Sequence, residues 1–388
     1  MASRKVGVLT FHRSINYGSY WQARCLVEGL RARGLDAEIL DHRSRRVEWR
    51  EARNAFQPTL PVRTAPRHFA ALGRKTRALI AAVDALPLSP PFPLEDAARS
   101  PRYDAVVIGS DEVWNFRHPW YSGASIFFGE GLNADRLVSY AASFGNHDAA
   151  DGIDPHWLER LRRFHALSVR DENSRAMLAP LSSDRLSFAR AERSRGTSLG
   201  QAAPGPSLEL AGNGREDSGI PLVLDPCLQF PQVIPDAAAR SDTRYAVVYG
   251  HSFPDWFTAQ LRRWADATGT RLVTIGYPNP IADDERIDAT PADFSTLIAG
   301  ATAVATNFFH GCVFAIRHAR PFVCAASPYR RNKVQDLTRA LGLGDHLVED
   351  GTSDAAFAHL LAALPTDLPA RLAAERTASS RFLDHALA

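Results

Sequence analysis

Short runs of aliphatic and β-branched residues alternate with longer helical stretches along most of this 388-residue chain. Residues 6–10 predict a buried strand, and residues 20–33 predict a helix that Gly34 ends. Residues 37–41 predict the strand that follows this helix. The order of strand, loop, helix and strand is typical of parallel α/β layers and of one half of a doubly wound sheet.

The alternation occurs in two series, which predicts two domains. Further strands are expected at 103–109, 137–141 and 166–170 in the first series, and at 221–225, 245–250, 271–275, 303–305 and 321–325 in the second. The segment between them is rich in Ser, Gly, Arg and Pro and poor in bulky apolar residues. The predicted fold class is therefore α/β, with two Rossmann-like domains that face a cleft. We place the domains at 1–180 and 220–345, with a flexible insertion at 181–219 and closing helices at 346–388.

Composition and charge exclude several classes of protein. The chain carries 45 basic and 43 acidic residues, for a formal net charge of +2, which excludes a strongly basic nucleic-acid binder. No apolar run approaches the roughly 20 residues of a membrane-spanning helix, and the first ten residues do not resemble a secretion signal. The four cysteines form no CxxC pair, which favours reduced thiols and a cytoplasmic location.

The sequence also lacks the common cofactor motifs. No GxxxxGK[ST] phosphate loop is present, and no GxGxxG follows the first predicted strand, which disfavours a Walker-type ATPase and ordinary dinucleotide binding. No HExxH pattern occurs, and the acidic run at 283–285 is interpreted as a solvated loop. We therefore expect neither a metal ion nor a cofactor.

One segment is markedly basic. Residues 43–77 hold ten arginines or lysines and only two acids, Glu48 and Glu51. One interpretation is a solvated helical face, and the other is a basic patch that meets an anionic substrate or a membrane surface. Lysine itself is rare, since the chain has only Lys5, Lys75 and Lys333.

Polar residues that directly follow predicted strands are candidates for ligand binding, because strand carboxyl ends meet at one edge of such a sheet. Asn16, Tyr17 and Gly18 lie at the start of the first predicted helix, where free amides suit an anion. Asp111 follows the strand at 103–109 and could accept hydrogen bonds from sugar hydroxyl groups.

Trp114 and Asn115 come one helical turn after Asp111, and an indole face is a platform for a sugar ring. The alternative interpretation is that Asp111 caps a helix and Trp114 packs in the core. Arg170 follows the strand at 166–170, where it could hold a carboxylate or phosphate. A structural ion pair with Asp171 or a neighbouring glutamate is the alternative.

The second series ends on a further set of candidates. His310 and Gly311 open a helix after the strand at 303–305, where the helix dipole and free amides would meet a ligand. Arg331 and Lys333 follow the strand at 321–325 and are interpreted either as a phosphate clamp or as surface charge.

Several of these segments together resemble the polysaccharide pyruvyl transferase family. The blocks that carry the resemblance are NYG at 16–18 with Gln22 and a helix ending at Gly34, YDAVVIGSDEVWN at 103–115, SYAASFG at 139–145, SVRD at 168–171, LDP at 224–226, and TNFFHG at 306–311 with the later RPFV. They occur in the family's order and span most of residues 5–345.

The resemblance implies two Rossmann-like halves similar to GT-B glycosyltransferases, with the acceptor on the first half and the donor on the second. It implies transfer of pyruvate from phosphoenolpyruvate onto two hydroxyls of a sugar, which gives a ketal. His310 and Asp111 match family positions, and we expect them to be catalytic. The residues expected to bind the donor are Arg170, Asn16, Gly18, Gly311, Lys333 and Arg331; those expected to bind the acceptor are Trp114, Asn115 and Tyr17.

The chain departs from the family pattern just before the histidine. Many members carry an arginine at the place of Phe309, and others have Asp-Ser where this chain has Asn307-Phe308. One anion-binding cation is therefore expected from elsewhere, with Arg330, Arg331 or Lys333 as the candidates.

Two other functions stay open at this point. One is a nucleotide-sugar-dependent glycosyltransferase on the same architecture, because a fold does not determine a function. The other is a binding protein that has lost catalysis, which Asn307-Phe308-Phe309 would explain. For the pyruvyl transferase we expect a sugar or glycan acceptor, either free or linked to a lipid, and no nucleic-acid partner. The expected location is cytoplasmic, with or without contact to the inner face of the membrane.

Overall fold

The computed structural model describes residues 3–181, 219–235, 244–327 and 329–388. Apart from its two end residues, the flexible insertion expected at 181–219 lies outside the described residues. Two parallel sheets, each with helices packed against it, make up the described part of the chain.

The first half contains a four-stranded parallel sheet. Its elements are β1 (Lys5–Leu9), α1 (Tyr17–Ala32), β2 (Asp36–Ile39), β3 (His42–Arg43), α2 (Arg45–Phe56), α3 (Phe69–Asp84), β4 (Phe92–Pro93), β5 (Tyr103–Ile108), β6 (Ala134–Ser139), α4 (Pro155–Arg162), α5 (Glu172–Met177) and α6 (Pro226–Gln229). The strand order is β2-β1-β5-β6, and β3 pairs separately with β4. The strands β1 and β5 are apolar runs with little polar alternation because helices and loops cover both faces of this sheet.

The second half contains a five-stranded parallel sheet. Its elements are β7 (Tyr245–Tyr249), α7 (Asp255–Thr268), β8 (Arg271–Ile275), β9 (Asp284–Arg286), α8 (Pro291–Gly300), β10 (Ala303–Thr306), α9 (Phe309–Arg317), β11 (Phe322–Cys324), α10 (Arg331–Ala340), α11 (Asp354–Leu360) and α12 (Leu368–Ala386). The strand order is β11-β10-β7-β8-β9. The predicted α/β fold class, with two Rossmann-like domains that face a cleft, is confirmed.

The segment 221–225, predicted as the first strand of the second half, instead extends the first sheet. Leu222 forms a parallel bridge to Val169, and Val169 itself bridges to Ala142 beside β6. The apolar run was correctly identified as strand-like, but sequence alone does not say which open sheet edge accepts it. The helix that follows, α6, packs on α1.

The last helix returns to the first half. On α12, Ser379 accepts a hydrogen bond at 2.9 Å from the backbone amide of Leu224, and Asp384 pairs with Arg33 at the end of α1. The closing helices expected at 346–388 therefore end against the opposite half from the one they follow. No helix in the described ranges is both long enough and apolar enough to cross a bilayer.

The two halves share one hydrophobic core, which holds them against each other. The Tyr17 ring of α1 stacks on Phe294 of α8 with ring centroids 4.6 Å apart. The Trp21 indole donates a hydrogen bond at 3.0 Å to the carbonyl of Pro291. Because α1 begins beside the carboxyl end of β1, this contact brings the start of α1 next to the second half.

Candidate active site

A cleft of about 350 Å³ lies between the halves, at the carboxyl ends of their strands. Residues that follow β1 and β5 line it from the first half, and residues that follow β7, β10 and β11 line it from the second. This is the position that open α/β sheets favour for ligands. Its polar lining includes Asn16, Ser19, Glu51, Asp111, Arg170, His251, His310, Arg330 and Lys333.

His310 is the second residue of α9 and reaches across to the first half. Its ring packs against Gly18 of α1 so closely that a Cβ at Gly18 would lie 2.1 Å from the imidazole Nδ1. Its Nε2 is buried, lies 3.6 Å from a carboxylate oxygen of Asp225, and has no hydrogen-bond partner among the described residues. The glycine is therefore required for the imidazole to enter the site.

Arg170 lies near the same Asp225 carboxylate, with its side chain only 2% exposed. One guanidinium nitrogen is 3.5 Å from Asp111 Oδ1, and another is 3.8 Å from Asp225 Oδ2. Burial lowers the pKa of Arg170, but the carboxylates of Asp111 and Asp225 raise it by more, so the guanidinium stays charged. Its Nε and Nη1 are buried without a hydrogen-bond acceptor among the described residues, which leaves two donors for an anion.

Asp225 joins the histidine to the arginine. It precedes α6 and accepts a hydrogen bond at 2.9 Å from the amide of Cys227. Burial raises the pKa of Asp225, but His310 and Arg170 lower it by more, so the buried carboxyl is ionised. One carboxylate thus lies beside a guanidinium from the first half and an imidazole from the second.

Asp111 lies at the cleft surface and accepts several hydrogen bonds. Its Oδ2 accepts from Ser19 Oγ at 3.1 Å and from Gln22 Nε2 at 3.4 Å, and its Oδ1 accepts from the amide of Glu112 at 2.9 Å. Asn16 caps α1 from the other side by accepting a 2.7 Å hydrogen bond from the Ser19 amide. The start of α1 and the loop after β5 are thereby held together at the cleft.

Glu112 forms an ion pair with Lys333 between the two halves. Lys333 of α10 donates to Glu112, which also accepts hydrogen bonds from Asn115 at 2.7 Å and from the Tyr329 hydroxyl at 3.0 Å. Burial raises the pKa of Glu112, but Lys333 and its other partners lower it more, to about 2. The charge of Lys333 is therefore largely neutralised by a fully buried carboxylate.

Five of the predicted site residues line the cleft: His310, Asp111, Arg170, Asn16 and Lys333. Gly18 contributes by leaving space for the His310 ring. The structure thus brings together residues that the sequence separates by almost 300 positions.

Three predicted acceptor residues do not contact the cleft. Trp114 is 1% exposed, donates to the carbonyl of Phe127 at 2.7 Å and packs on aromatic neighbours, as the core interpretation had it. Tyr17 is fully buried, and its hydroxyl donates to the carbonyl of Ala289 at 2.6 Å. Asn115 lies behind the cleft wall, where it supports Glu112. An aromatic residue one turn beyond a strand end turns inward here because the core offers it a hydrogen-bond acceptor.

Two predicted donor residues also lie elsewhere. The Gly311 amide donates at 3.0 Å to the carbonyl of Phe308, and a Cβ at Gly311 would meet Thr306 Oγ1 at 2.1 Å, so this glycine serves helix packing. Arg331 pairs with Glu349 and lines a separate groove in the second half. Its neighbour Arg330 is the arginine that enters the cleft, with its guanidinium carbon 4.4 Å from the centroid of the Phe308 ring.

The structure adds three residues that the sequence analysis did not assign to the site. Asp225 appeared in the sequence analysis only as part of the LDP block. Ser19, next to Gly18, was given no role there. Glu51 was counted only as one of the two acids in the basic segment 43–77. Burial raises the pKa of Glu51, which lines the cleft from α2 and accepts hydrogen bonds from Ser14 and from the Ile15 amide. Position after a strand could have identified Asp225, but only tertiary contacts reveal Glu51.

One cluster has the donor types of a metal site. Ligand atoms of Asp225, Cys227 and His310 all lie within 4.8 Å of one another. However, the Arg170 guanidinium lies 3.8 Å from the same Asp225 oxygen and already supplies a positive charge there. A divalent cation at this position would be repelled by Arg170, so the residues present do not fit a metal ion.

Solved structures of sugar-nucleotide enzymes are similar to this chain at low identity. The S. aureus MnaA–UDP structure has a TM-score of 0.47 and 13% identity over 98% of this chain and 95% of that chain. UDP-GlcNAc 2-epimerase from Neisseria meningitidis has a TM-score of 0.43 and 8% identity over 99% of each chain. The E. coli heptosyltransferase WaaC has a TM-score of 0.37 and 13% identity over 84% of this chain and 91% of that chain.

A search of curated proteins finds no match to this sequence. A family model, by contrast, matches most of the chain. The model described as polysaccharide pyruvyl transferase matches residues 16–181 and 206–327, which include Asn16, Asp111, Arg170 and His310 of the cleft. The chain therefore belongs to the polysaccharide pyruvyl transferase family, a family of transferases.

Proposed function

We propose that this protein transfers pyruvate from phosphoenolpyruvate to two hydroxyl groups of a sugar and releases phosphate. The observation that carries this proposal is the meeting of Arg170 and His310, from opposite halves, around the single buried carboxylate of Asp225. That arrangement puts a positive charge and an imidazole near one carboxylate in the cleft. A small ester with two anionic groups is the type of ligand that such a site would hold.

Anion binding is supported by donors that lack acceptors. Arg170 has two buried N–H groups without partners in the described chain. Lys333 is compensated by Glu112, and Arg331 lies in another groove, so Arg330 is the best candidate for the cation that the family carries at the place of Phe309. The Phe309 ring centroid lies 4.7 Å from the Arg170 guanidinium carbon and packs on it instead. We propose that Arg170 and Arg330 together bind the phosphate and carboxylate of the donor.

The reaction proposed has an addition followed by a substitution at one carbon. A sugar hydroxyl adds to C2 of phosphoenolpyruvate while C3 gains a proton and becomes a methyl group. A second hydroxyl then replaces the phosphate at C2. The bond between C2 and the phosphate oxygen breaks, and the ketal ring closes. The two hydroxyl protons balance the proton gained by C3 and the proton carried away by hydrogen phosphate.

We assign the proton transfers to His310, because general acid–base catalysis by a positioned imidazole typically contributes about 10²–10⁴-fold. Asp111, which we expected to be catalytic, accepts hydrogen bonds on both carboxylate oxygens, from Ser19, Gln22 and the amide of Glu112. We propose instead that Asp111 positions Arg170 and the start of α1.

The acceptor is proposed to be a sugar of a growing glycan, in keeping with the family, and to be attached to a lipid. Since phosphoenolpyruvate is a cytoplasmic metabolite, the proposed location is the cytoplasmic face of a membrane.

The test is phosphate release from phosphoenolpyruvate in the presence of a panel of glycan acceptors. We expect His310→Ala to lower turnover at least about a hundredfold, and the exposed His385→Ala to leave it unchanged. Thermal stabilisation by phosphoenolpyruvate should be lost in Arg170→Ala when the protein remains folded by circular dichroism. Stabilisation by a nucleotide sugar and not by phosphoenolpyruvate would favour a glycosyltransferase, and donor binding without product would favour a non-catalytic protein.

A further inference from the structure

The surface formed by α2, α3 and the turn between them exposes an unusual number of bulky apolar side chains. Of the six large apolar residues that are exposed in the described part of the chain, five belong to this surface. They are Trp49, Leu60, Val62, Phe69 and Ile80, with Trp49 64% exposed and Val62 69% exposed. Clusters of this kind mark interaction sites, whereas singly scattered apolar residues do not.

These side chains belong to one structural unit. Trp49 and Leu60 line the same shallow groove, together with Arg50 and Arg53. The Phe56 ring at the end of α2 contacts the Phe69 ring at the start of α3, with centroids 6.3 Å apart. We call this surface, from Trp49 to Ile80, the α2–α3 patch.

The geometry of α3 keeps its two apolar residues together. Phe69 and Ile80 are eleven residues apart, which is about three turns of helix, so they lie on the same side of α3. Val62 lies in the preceding turn, which is closed by a hydrogen bond of 2.9 Å from its amide to the carbonyl of Thr59. A further hydrogen bond of 3.0 Å, from the Thr64 amide to the Gln57 side chain, ties this turn to the end of α2.

The patch is also basic, without compensating acids. Glu48 is paired with Arg43, and Glu51 is buried and lines the cleft. The arginines of this segment that form no ion pair with any carboxylate of the described residues are Arg45, Arg46, Arg50, Arg53, Arg63, Arg67 and Arg77. A partner that binds this surface must therefore carry negative charge and accommodate aliphatic and aromatic side chains.

We propose that the α2–α3 patch docks the protein on an anionic lipid bilayer. Tryptophan and aliphatic side chains insert at the boundary between headgroups and acyl chains, and arginines are attracted to anionic headgroups. A soluble glycan would satisfy the arginines but would give Val62 and Ile80 no apolar surroundings. A lipid surface satisfies both.

The patch is continuous with the active-site cleft. Asn54, Pro58, Pro119 and Trp120 line both the cleft and the groove that contains Trp49 and Leu60. On α2, Glu51 faces the cleft while Trp49 and Arg53 are exposed. Docking would therefore bring the mouth of the cleft to the membrane. Delivery of a lipid-linked acceptor in this way rests on the proposed function, but docking itself does not.

Vesicle co-sedimentation of the full chain tests this proposal. We expect binding to vesicles of 70% phosphatidylcholine and 30% phosphatidylglycerol, and little binding to phosphatidylcholine alone. The triple change Arg53→Gln, Arg63→Gln, Arg77→Gln should lower the partition coefficient on the order of a hundredfold, because each arginine near an anionic surface contributes roughly fivefold. The triple change Arg163→Gln, Arg271→Gln, Arg381→Gln removes the same charge from other exposed sites and should have little effect.

The apolar side chains require their own variant. Trp49→Ser with Leu60→Ser and Val62→Ser should weaken binding at all salt concentrations, whereas the arginine variant loses the salt-sensitive part. The inactive His310→Ala protein should bind vesicles normally, so failure of the proposed chemistry would leave this result untouched. Equal effects of the two arginine variants would overturn the proposal. So would light scattering that shows a dimer which the serine variant dissociates, because the patch would then join two copies of the chain.

Discussion

Asp225 is the residue on which the arrangement of the site depends most. A buried carboxylate without a positive partner would cost several kcal/mol, and here the Arg170 guanidinium is that partner, at 3.8 Å from Oδ2. The His310 imidazole lies 3.6 Å from the same oxygen. The same residue caps α6 through the Cys227 amide. It is therefore placed to orient both the imidazole and the guanidinium from a buried position.

Asp225→Asn separates the charge of this residue from its role as a cap. Asparagine caps a helix about as well as aspartate, so the variant should fold. We expect turnover to fall at least about tenfold, because the imidazole loses the carboxylate that orients it. The pH profile of the phosphate-release rate should change in shape as well as in its maximum value. A uniform loss at every pH, or no loss, would contradict a positioning role.

The expectation that residues directly after strands bind ligands identified the polar residues of the site. It did not predict which of the strand-end residues are buried in the core. His310, Arg170, Asp111 and Asn16 were all identified in this way, since parallel strands end at a common edge. Trp114 failed because a strand-end residue can point into the core as easily as into a cleft. The buried Trp114 indole donates its hydrogen bond to the carbonyl of Phe127, and no local sequence pattern reveals that this acceptor is within reach.

At the scale of elements, the contact between the start of α1 and the start of α9 determines the geometry of the cleft. The contact depends on Gly18, which has no side chain where the His310 ring lies. Gly18 lies in the first turn of α1, where helix propensity gives no reason to prefer glycine. The glycine therefore serves the contact between the halves and not the helix.

Gly18→Ala should impair catalysis without removing any polar group. The added methyl would overlap the imidazole, so His310 must move away, and we expect kcat/KM to fall at least about tenfold. Gly73→Ala on α3 is the matched control, since a Cβ there would have no neighbour closer than 3.5 Å. That control should keep full activity and raise stability by up to about 1 kcal/mol. Equal activity of the two variants would show that the imidazole does not need this position.

The elements themselves were largely predictable from sequence. β1, α1, β2 and β5 occur where apolar runs and Gly34 predicted them. The segment at 166–170 forms only isolated bridges, and 221–225 extends the first sheet. Such short apolar runs indicate a strand but not its partner, because pairing depends on which sheet edge remains uncovered.

At the scale of the whole molecule, two of the three lysines connect the halves. Lys333 pairs with Glu112, as described above, while Lys75 of α3 donates a hydrogen bond of 2.9 Å to the carbonyl of Gly276. The Lys75 ammonium lies 4.0 Å from the centroid of the Tyr277 ring and forms no ion pair among the described residues. Burial lowers the pKa of Lys75 to about 7.

This lysine makes the stability of the whole molecule depend on pH. Between about pH 7 and pH 10.4 the unfolded chain binds a proton at Lys75 that the folded protein does not, so stability rises with pH across that window. Lys75→Met removes the penalty. We expect its advantage in unfolding free energy over the parent protein to shrink by roughly 3 kcal/mol between pH 7 and pH 10. Urea denaturation of both proteins at these two pH values measures this difference, and an equal difference at both would contradict the burial effect.

The return of α12 has a consequence for how the protein is made. The first sheet is covered in part by a helix that the ribosome synthesises more than 200 residues after β6. Until then the nascent first half carries an uncovered apolar surface, and the second half can fold before the first is finished. The order in which the two halves are synthesised therefore differs from the order in which they are completed.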